Sequence, residues 1–265
     1  MENAVSSPQL YVTTHQIHPN SQTTRYVLNY KKLPYKTITL EYPSIAPTLS
    51  SLGIPPLTIK RDGTPLYTCP SIIDYGPDNS SEGSPKAMIT DSYKIAEYLD
   101  KAYPSTPCVF PPGTEALQAA FYKHIADLIG PPWPTGHLYP LLLPKITENV
   151  LNPISAEYYA YHRRDFADPL SELYPKGKEA LAAQWKKVEE SFNTIDTWLS
   201  KNTKPGDFVM GDTVTFCDFV IAGILDAIRV AFGEESEEWE RVMGWSGGRW
   251  KRFMGNLKEY ASVDH

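Results

Sequence analysis

Two folded units of different class are predicted, an α/β unit over residues 1–104 and an all-α unit over residues 113–265. Three observations carry that division. Up to Pro104, short β-branched and aromatic runs alternate with helical stretches. Pro104 to Pro112 (PSTPCVFPP) then holds four prolines in nine residues, which makes a stiff linker. Beyond it everything reads as helix, and no strand pattern returns.

Taken in order, residues Gln9 to Thr14 (QLYVTT) form a first strand, rich in β-branched and aromatic side chains. A polar loop, HQIHPNSQ, leads into a helix from Ser21 or Thr23 to Lys32. Leu33-Pro34 ends it, because the residue before a proline is pushed out of the helical region. Tyr35 to Tyr42 (YKTITLEY) alternates apolar and polar residues and is the second strand. Pro43 to Leu52 can hold a short helix, while Gly53 to Thr68, rich in Pro and Gly, reads as loop.

A hairpin follows, from TCPSIID (Thr68 to Asp74) to Met88–Thr90, with a long polar tip between Gly76 and Pro85. Pro70 cannot donate into a central ladder, so it belongs at the first residue of a strand, at an edge or in a special turn. Asp91-Ser92 opens a helix whose Ile95, Ala96, Leu99, Ala102 and Tyr103 follow helical spacing. The order is β-α-β-(α)-β-β-α, with a crossover helix making the first two strands parallel. That is a thioredoxin-like order.

In the second unit, Thr114 to Ile129 is one helix, ended by Gly130-Pro131-Pro132. Ile154 to Leu173 contains another, rich in Tyr and interrupted by Pro169. Glu179 to Leu199 carries Leu181, Trp185, Val188, Phe192, Ile195 and Leu199 along one face. In GDTVTFCDFVIAGIL (Gly211 to Leu225), Thr215 and Asp218 have the spacing of a capping box, and Val214 can staple to Phe219. The helix behind them is apolar nearly all round. With Asp218, Asp226 and Arg229 in it, it is a buried helix rather than a membrane span. A last amphipathic piece runs from Arg249 to Tyr260.

The 25 basic and 31 acidic residues give a net charge of −6, which argues against nucleic acid or an anionic membrane as the main partner. Cys69, Cys108 and Cys217 are odd in number and far apart, with no metal-ligand spacing, which fits a reduced, cytoplasmic setting. No secretory signal is visible in MENAVSSPQLYV.

Three separated features, TCPSI, TDSYKIAEYLDKAYP and GDTVTFCDF, together resemble the cytosolic glutathione transferases over nearly the whole chain. TTRYVLNYKKLPYKTITLEYP and DGTPLYTCPSIID are similar to the fungal, serine-type members related to bacterial lignin β-etherases. The resemblance implies the glutathione transferase architecture, a homodimer, glutathione as co-substrate and no metal. It also implies that Pro70 is the family's cis-proline, with the Cys69 backbone pairing the cysteinyl part of glutathione in strand fashion. Asp91 and Ser92 would hold the γ-glutamyl end: a helix N-terminus offers free N–H groups to a carboxylate, and an aspartate suits an ammonium. The alternative is that Asp91 only caps its helix.

In the serine-type relatives the serine that assists the thiol lies seven positions before the arginine of the first helix. If Arg25 is that arginine, the position is His18, a departure from the pattern. His18 is either a base or cationic donor for the thiol, or a surface-loop histidine. Asn20 and Ser21 are close enough to substitute as donors. The pair His15 and His18 lacks a third ligand, so a metal is not expected. The Cys69 side chain is expected to pack rather than react.

The second substrate is expected to be a hydrophobic aromatic electrophile. Trp133, Tyr158 and Tyr161, beside Tyr159 and His162, offer aromatic surface for it, with ordinary helix packing as the alternative for any one tyrosine. The function implied is a glutathione transferase of the detoxification kind, conjugating such compounds or cleaving ethers and thioethers. Its rivals are a non-catalytic, glutathione-dependent carrier of aromatic compounds (ligandin-type) and a regulatory domain that keeps only the fold.

Overall fold

A computed structural model describes residues 10–14, 19–76, 84–129 and 136–261. Its contacts divide the chain into two units. One runs to Cys108 and takes in Tyr260; the other runs from Val109 to Glu259.

The first unit holds β1 (Leu10–Thr14), α1 (Pro19–Tyr30), β2 (Lys36–Thr39), α2 (Tyr42–Ser51), β3 (Thr58–Ile59), β4 (Pro65–Leu66), β5 (Ser71–Asp74), β6 (Ala87–Thr90) and α3 (Ser92–Ala102). Four strands make one sheet in the order β2-β1-β5-β6. β1 runs parallel to β2, and β5 is antiparallel to both β1 and β6. This is the thioredoxin-like order that the sequence predicts. Leu40, Ile45, Leu49, Ile54, Cys69 and Ile73 pack as one apolar cluster. α1 packs on α3, and the two helices are tied at their ends. The wholly buried Lys31 ammonium lies 2.7 Å from Asp100 Oδ1 and donates to Pro107 C=O at 3.0 Å. Asn29 Nδ2 donates to Tyr260 C=O at 2.8 Å, and the Tyr30 and Tyr260 rings meet edge to face at 5.2 Å.

Two local departures from the sequence reading have clear causes. The second strand stops at Thr39 instead of reaching Tyr42, because Pro43 falls in the first turn of α2, where a missing N–H costs nothing. The stretch read as loop holds the short β3–β4 pair. Its turn is built by Asp62, whose Oδ1 accepts the Thr64 N–H at 2.9 Å and the Thr64 hydroxyl at 2.6 Å, with Gly63 at φ +82°.

The second unit is helical: α4 (Glu115–Leu128), α5 (Tyr139–Asn149), α6 (Pro153–Tyr161), α7 (Lys178–Leu199), α8 (Phe216–Phe232) and α9 (Glu237–Leu257). The sequence reading has no α5, although Leu141, Leu142, Leu143 and Ile146 are buried in it. Pro140 sits in its first turn and Pro144 inside it, so the segment looks broken in one dimension. α6 ends at Tyr161, short of Leu173; the residues after the cis Asp168-Pro169 bond form only a 3-10 turn. α9 begins well before Arg249 but is interrupted at Trp245–Gly248, where Ser246, Gly247 and Gly248 all take positive φ.

α8 is the core of this unit, with nearly every residue from Phe216 to Ala231 buried. Its start is fixed by the predicted capping box. Asp218 Oδ2 accepts the Thr215 N–H and the Thr215 hydroxyl, both at 2.8 Å, and Oδ1 accepts the Val209 N–H at 2.7 Å. Among the described residues no helix is long and apolar enough to cross a membrane.

Burial pushes the Asp218 carboxyl up to about 7, outweighing the three donors that favour its ionised form. A folded-state value above the unfolded one means that the folded protein holds the proton more tightly. The stability gained is therefore complete below the unfolded value and is lost as pH rises through about 7. Asp218→Asn lacks this term, so in urea unfolding the wild type's advantage over it should shrink between mildly acidic and mildly alkaline buffer. Asp218→Ala, which orphans three donors, should cost on the order of 3 kcal/mol.

Candidate functional site

The Cys69-Pro70 peptide bond is cis and leads directly into β5. A ladder of buried hydroxyls holds this turn. Thr13 Oγ1 donates to Ser71 C=O at 3.1 Å. The Ser71 and Thr90 hydroxyls lie 2.8 Å apart, and each also has a carbonyl within reach, Thr68 O at 3.1 Å and Pro55 O at 3.2 Å. The Cys69 side chain points into the apolar cluster, and its Sγ donates weakly to Thr13 Oγ1 at 3.9 Å. Burial pushes this thiol up to about 11. It packs, as the sequence reading expects. The Cys69 N–H and C=O have no hydrogen-bond partner among the described residues.

The start of α3 is joined to this turn by one bond, from the Asp91 N–H to Pro70 C=O at 3.3 Å. Asp91 has φ +98°, a conformation that a residue with a side chain rarely adopts and that tends to mark working positions. Its Oδ1 accepts the N–H groups of Tyr93 at 2.9 Å and Lys94 at 3.1 Å, so the capping role is realised. Oδ2 takes no bond among the described residues. Next to it, Ser92 is 2% exposed, and its hydroxyl has no partner among the described residues. A buried, unsatisfied hydroxyl carries a desolvation cost that a bound polar group would remove.

The N-terminal half of α1 shows the same signature. Ser21 Oγ, Thr24 Oγ1 and Arg25 Nε are buried without a partner among the described residues. Asn20 is half-buried in the first turn. His18 lies outside the described residues, as does Trp133. Tyr158 and Tyr161 are both on α6, each in ring contact with His162, at 4.2 and 5.3 Å. The Arg164 guanidinium covers the Tyr161 face at 4.0 Å, and Tyr161 remains 59% exposed.

One supporting group was not legible beforehand. Asp74, at the far end of β5, is fully buried and accepts the hydroxyls of Tyr98 at 2.7 Å and Tyr103 at 2.8 Å, with the Gly76 N–H at 2.7 Å. Burial and the Asp74 charge push both phenols up. These bonds fix α3 against β5. Its two ends carry different loads: Asp91 and Ser92 at the start, the tyrosines one turn and more downstream.

Residues 19–102 match the glutathione S-transferase N-terminal domain, and residues 116–260 match the glutathione S-transferase C-terminal domain. The chain belongs to the glutathione S-transferase family. Among its transferase relatives, a glutathione S-transferase-like protein of Aspergillus flavus, ustS, is 33% identical over 251 residues, covering 89% of this chain and 86% of the relative. A glutathione S-transferase of Ceriporiopsis subvermispora, solved in complex with glutathione, is 35% identical with a TM-score of 0.85, covering 96% of this chain and 98% of its own. Glutathione transferase GSTFuA3 of Phanerochaete chrysosporium is 32% identical with a TM-score of 0.83, covering 98% and 100%.

Two outcomes follow from this transferase scaffold. Cys69 and Cys217 are buried and Cys108 is exposed, so iodoacetamide should label Cys108 alone in the native protein and all three thiols in denaturant, as read by mass spectrometry. Replacing both tyrosines (Tyr98→Phe with Tyr103→Phe) leaves the Asp74 carboxylate with the Gly76 N–H as its one described donor. In chemical unfolding the pair should cost about 3 kcal/mol or more, since bonds to a buried charge are worth about 1.5–3 kcal/mol each.

Proposed function

We propose that this chain binds glutathione in its first unit and uses the thiolate on hydrophobic aromatic electrophiles. The observation that carries the reading is the convergence of unspent polar groups around one hydrogen bond. Among the described residues the Cys69 backbone is unpaired, Asp91 Oδ2 is unused and the Ser92 hydroxyl is buried without a partner, while Asp91 N–H→Pro70 C=O ties them together. The Cys69 N–H and C=O suit the cysteinyl residue of the tripeptide. Asp91 Oδ2 suits the γ-glutamyl ammonium, and Ser92 with the first N–H groups of α3 suits its carboxylate.

The sulfur then falls to the start of α1. A helix N-terminus favours a thiolate over a thiol. Ser21 brings a buried hydroxyl, without a partner among the described residues, that can donate to it, and His18 and Asn20 stand in the same stretch of sequence. The thiolate attacks an electrophilic carbon, a C–S bond forms, and the leaving group departs with its bonding electrons. The same attack serves conjugation and the cleavage of an aryl ether or thioether. The protein contributes position and charge stabilisation. For the acceptor, the aromatic candidates are Tyr158 and Tyr161 on α6 and, by sequence alone, Trp133. The chain works as a cytoplasmic homodimer, in keeping with cysteines that form no disulfide among the described residues and with the dimers general in the family.

Thermal unfolding with and without millimolar glutathione tests the binding step, since a ligand of the folded state raises the midpoint. Ser92→Ala should leave the apo protein as stable as wild type or slightly more so, because it removes an unsatisfied hydroxyl, yet lose most of the glutathione shift. Asp91→Asn keeps the cap and should lose the shift too. A full shift in both variants would overturn the placement. Turnover of benzyl and phenethyl electrophiles by wild type, Ser21→Ala and His18→Ala then tests the chemistry; no turnover by wild type on any of them removes the enzymatic reading.

A further inference from the structure

We propose that Thr13, Ser71 and Thr90 are positioning residues for glutathione, holding the Cys69-Pro70 turn against the start of α3 through one rung of buried hydroxyls. This rests on the glutathione placement proposed above and adds three residues that lie outside it.

The three stand side by side in the register of the sheet. Thr13 of β1 is opposite Ser71 of β5, and Ser71 is opposite Thr90 of β6. Thr13 and Ser71 are fully buried, and Thr90 nearly so. The adjoining buried positions Val12, Ile72 and Ile73 are apolar. Valine would fill nearly the volume of threonine here with no polar group to satisfy, so three hydroxyls on one rung need a reason.

That reason is the proline. Pro70 has no N–H to give, so beyond this rung β5 and the chain after β6 are joined, among the described residues, by the single bond from Asp91 N–H to Pro70 C=O. Side chains take over where the backbone ladder runs out. The Ser71 and Thr90 hydroxyls bond to each other at 2.8 Å. Ser71 Oγ also reaches Thr68 C=O at 3.1 Å, and Thr90 Oγ1 reaches Pro55 C=O, in the chain between α2 and β3, at 3.2 Å. Two hydroxyl hydrogens thus serve three contacts, and the pair has two donor directions, one serving Thr68 and the other Pro55. Thr13 Oγ1 donates to Ser71 C=O and receives the Cys69 thiol.

The rung therefore holds Thr68, Cys69 and Ser71, on both sides of the cis bond, together with Thr90, the residue before Asp91. Thr13 and Thr90 are β-branched and stiff at χ1, which fixes where their hydroxyls lie. A buried hydroxyl network of this kind selects one arrangement of the strands it joins. Here it sets the spacing between the Cys69 backbone and the Asp91-Ser92 pair, and a site whose spacing is already set loses less on ordering its ligand.

Thr90→Val removes the hydroxyl and nearly keeps the shape, while Thr90→Ser keeps the hydroxyl. Glutathione is titrated calorimetrically into the full chain, and exchange of the Asp91 N–H is followed by NMR without ligand. Thr90→Val should bind glutathione about tenfold more weakly and exchange the Asp91 N–H about tenfold faster relative to the amides of α7, as loss of one buried hydrogen bond warrants. Thr90→Ser should restore both. Val242→Ala, at a fully buried position of α9, lowers stability by removing core methyl groups and should leave both readouts as in wild type. The proposal is overturned if Thr90→Val binds as tightly as wild type, if Thr90→Ser binds as weakly as Thr90→Val, or if the relative exchange of Asp91 is unchanged. It is also overturned if Val242→Ala weakens binding as much, because lost stability alone would then account for the effect. Tight binding by wild type and Thr90→Val alike refutes the rung and leaves the glutathione placement standing; no binding by wild type removes the placement and the rung's role with it.

Discussion

A single backbone hydrogen bond, from Asp91 N–H to Pro70 C=O, sets the geometry where the Cys69-Pro70 turn meets the start of α3. The sheet needs β6 to stay paired with β5 up to the Thr90–Ser71 rung. The helix needs to begin at the very next position but one, pointing elsewhere. Asp91 reconciles the two by taking a left-handed conformation, and its own carboxylate repays part of that cost by capping α3. So abrupt a junction buries Ser92 while its hydroxyl has no partner among the described residues. What looks like a defect in the apo protein is the property expected of a preorganised binding surface.

Much of this was legible because it is local. Pro70 at the head of an apolar run, Asp91-Ser92 before a helical period, and Thr215 three residues ahead of Asp218 each state their structure within a few positions. The helix at Tyr139–Asn149 was not legible, since Pro144 inside it contradicts helix by propensity and only packing overrides it. The break at Trp245–Gly248 falls at two glycines, but its cause lies far away in the chain. Trp245 is anchored against the Trp185 and Phe192 rings, and the helix yields to keep it there.

The candidate site divides in the same way. Its residue types could be read from the sequence, but its vacancies could not. That Ser92, Ser21 and Thr24 lack partners among the described residues is a statement about three-dimensional neighbours, as is the meeting of Asp74 with Tyr98 and Tyr103 across 24 and 29 residues. Gln118 is the clearest case. On paper it is an ordinary polar residue in an amphipathic helix, and in the fold it is a nearly sealed amide facing a sulfur.

Tyr260 gives the chain an unusual order of assembly. The first unit is left at Cys108 and rejoined only at Tyr260, where Asn29 and Tyr30 receive it. In topological terms the helical unit is an insertion in the α/β unit. During synthesis the sheet and α1 emerge early, but the tie to Tyr260 can form only after the whole helical unit has left the ribosome. Local contacts therefore build each unit quickly, while the closing contact spans 231 residues and comes last. A shortened chain would keep every strand and still lack the latch on α1, the helix that carries the buried Ser21 and Thr24 hydroxyls.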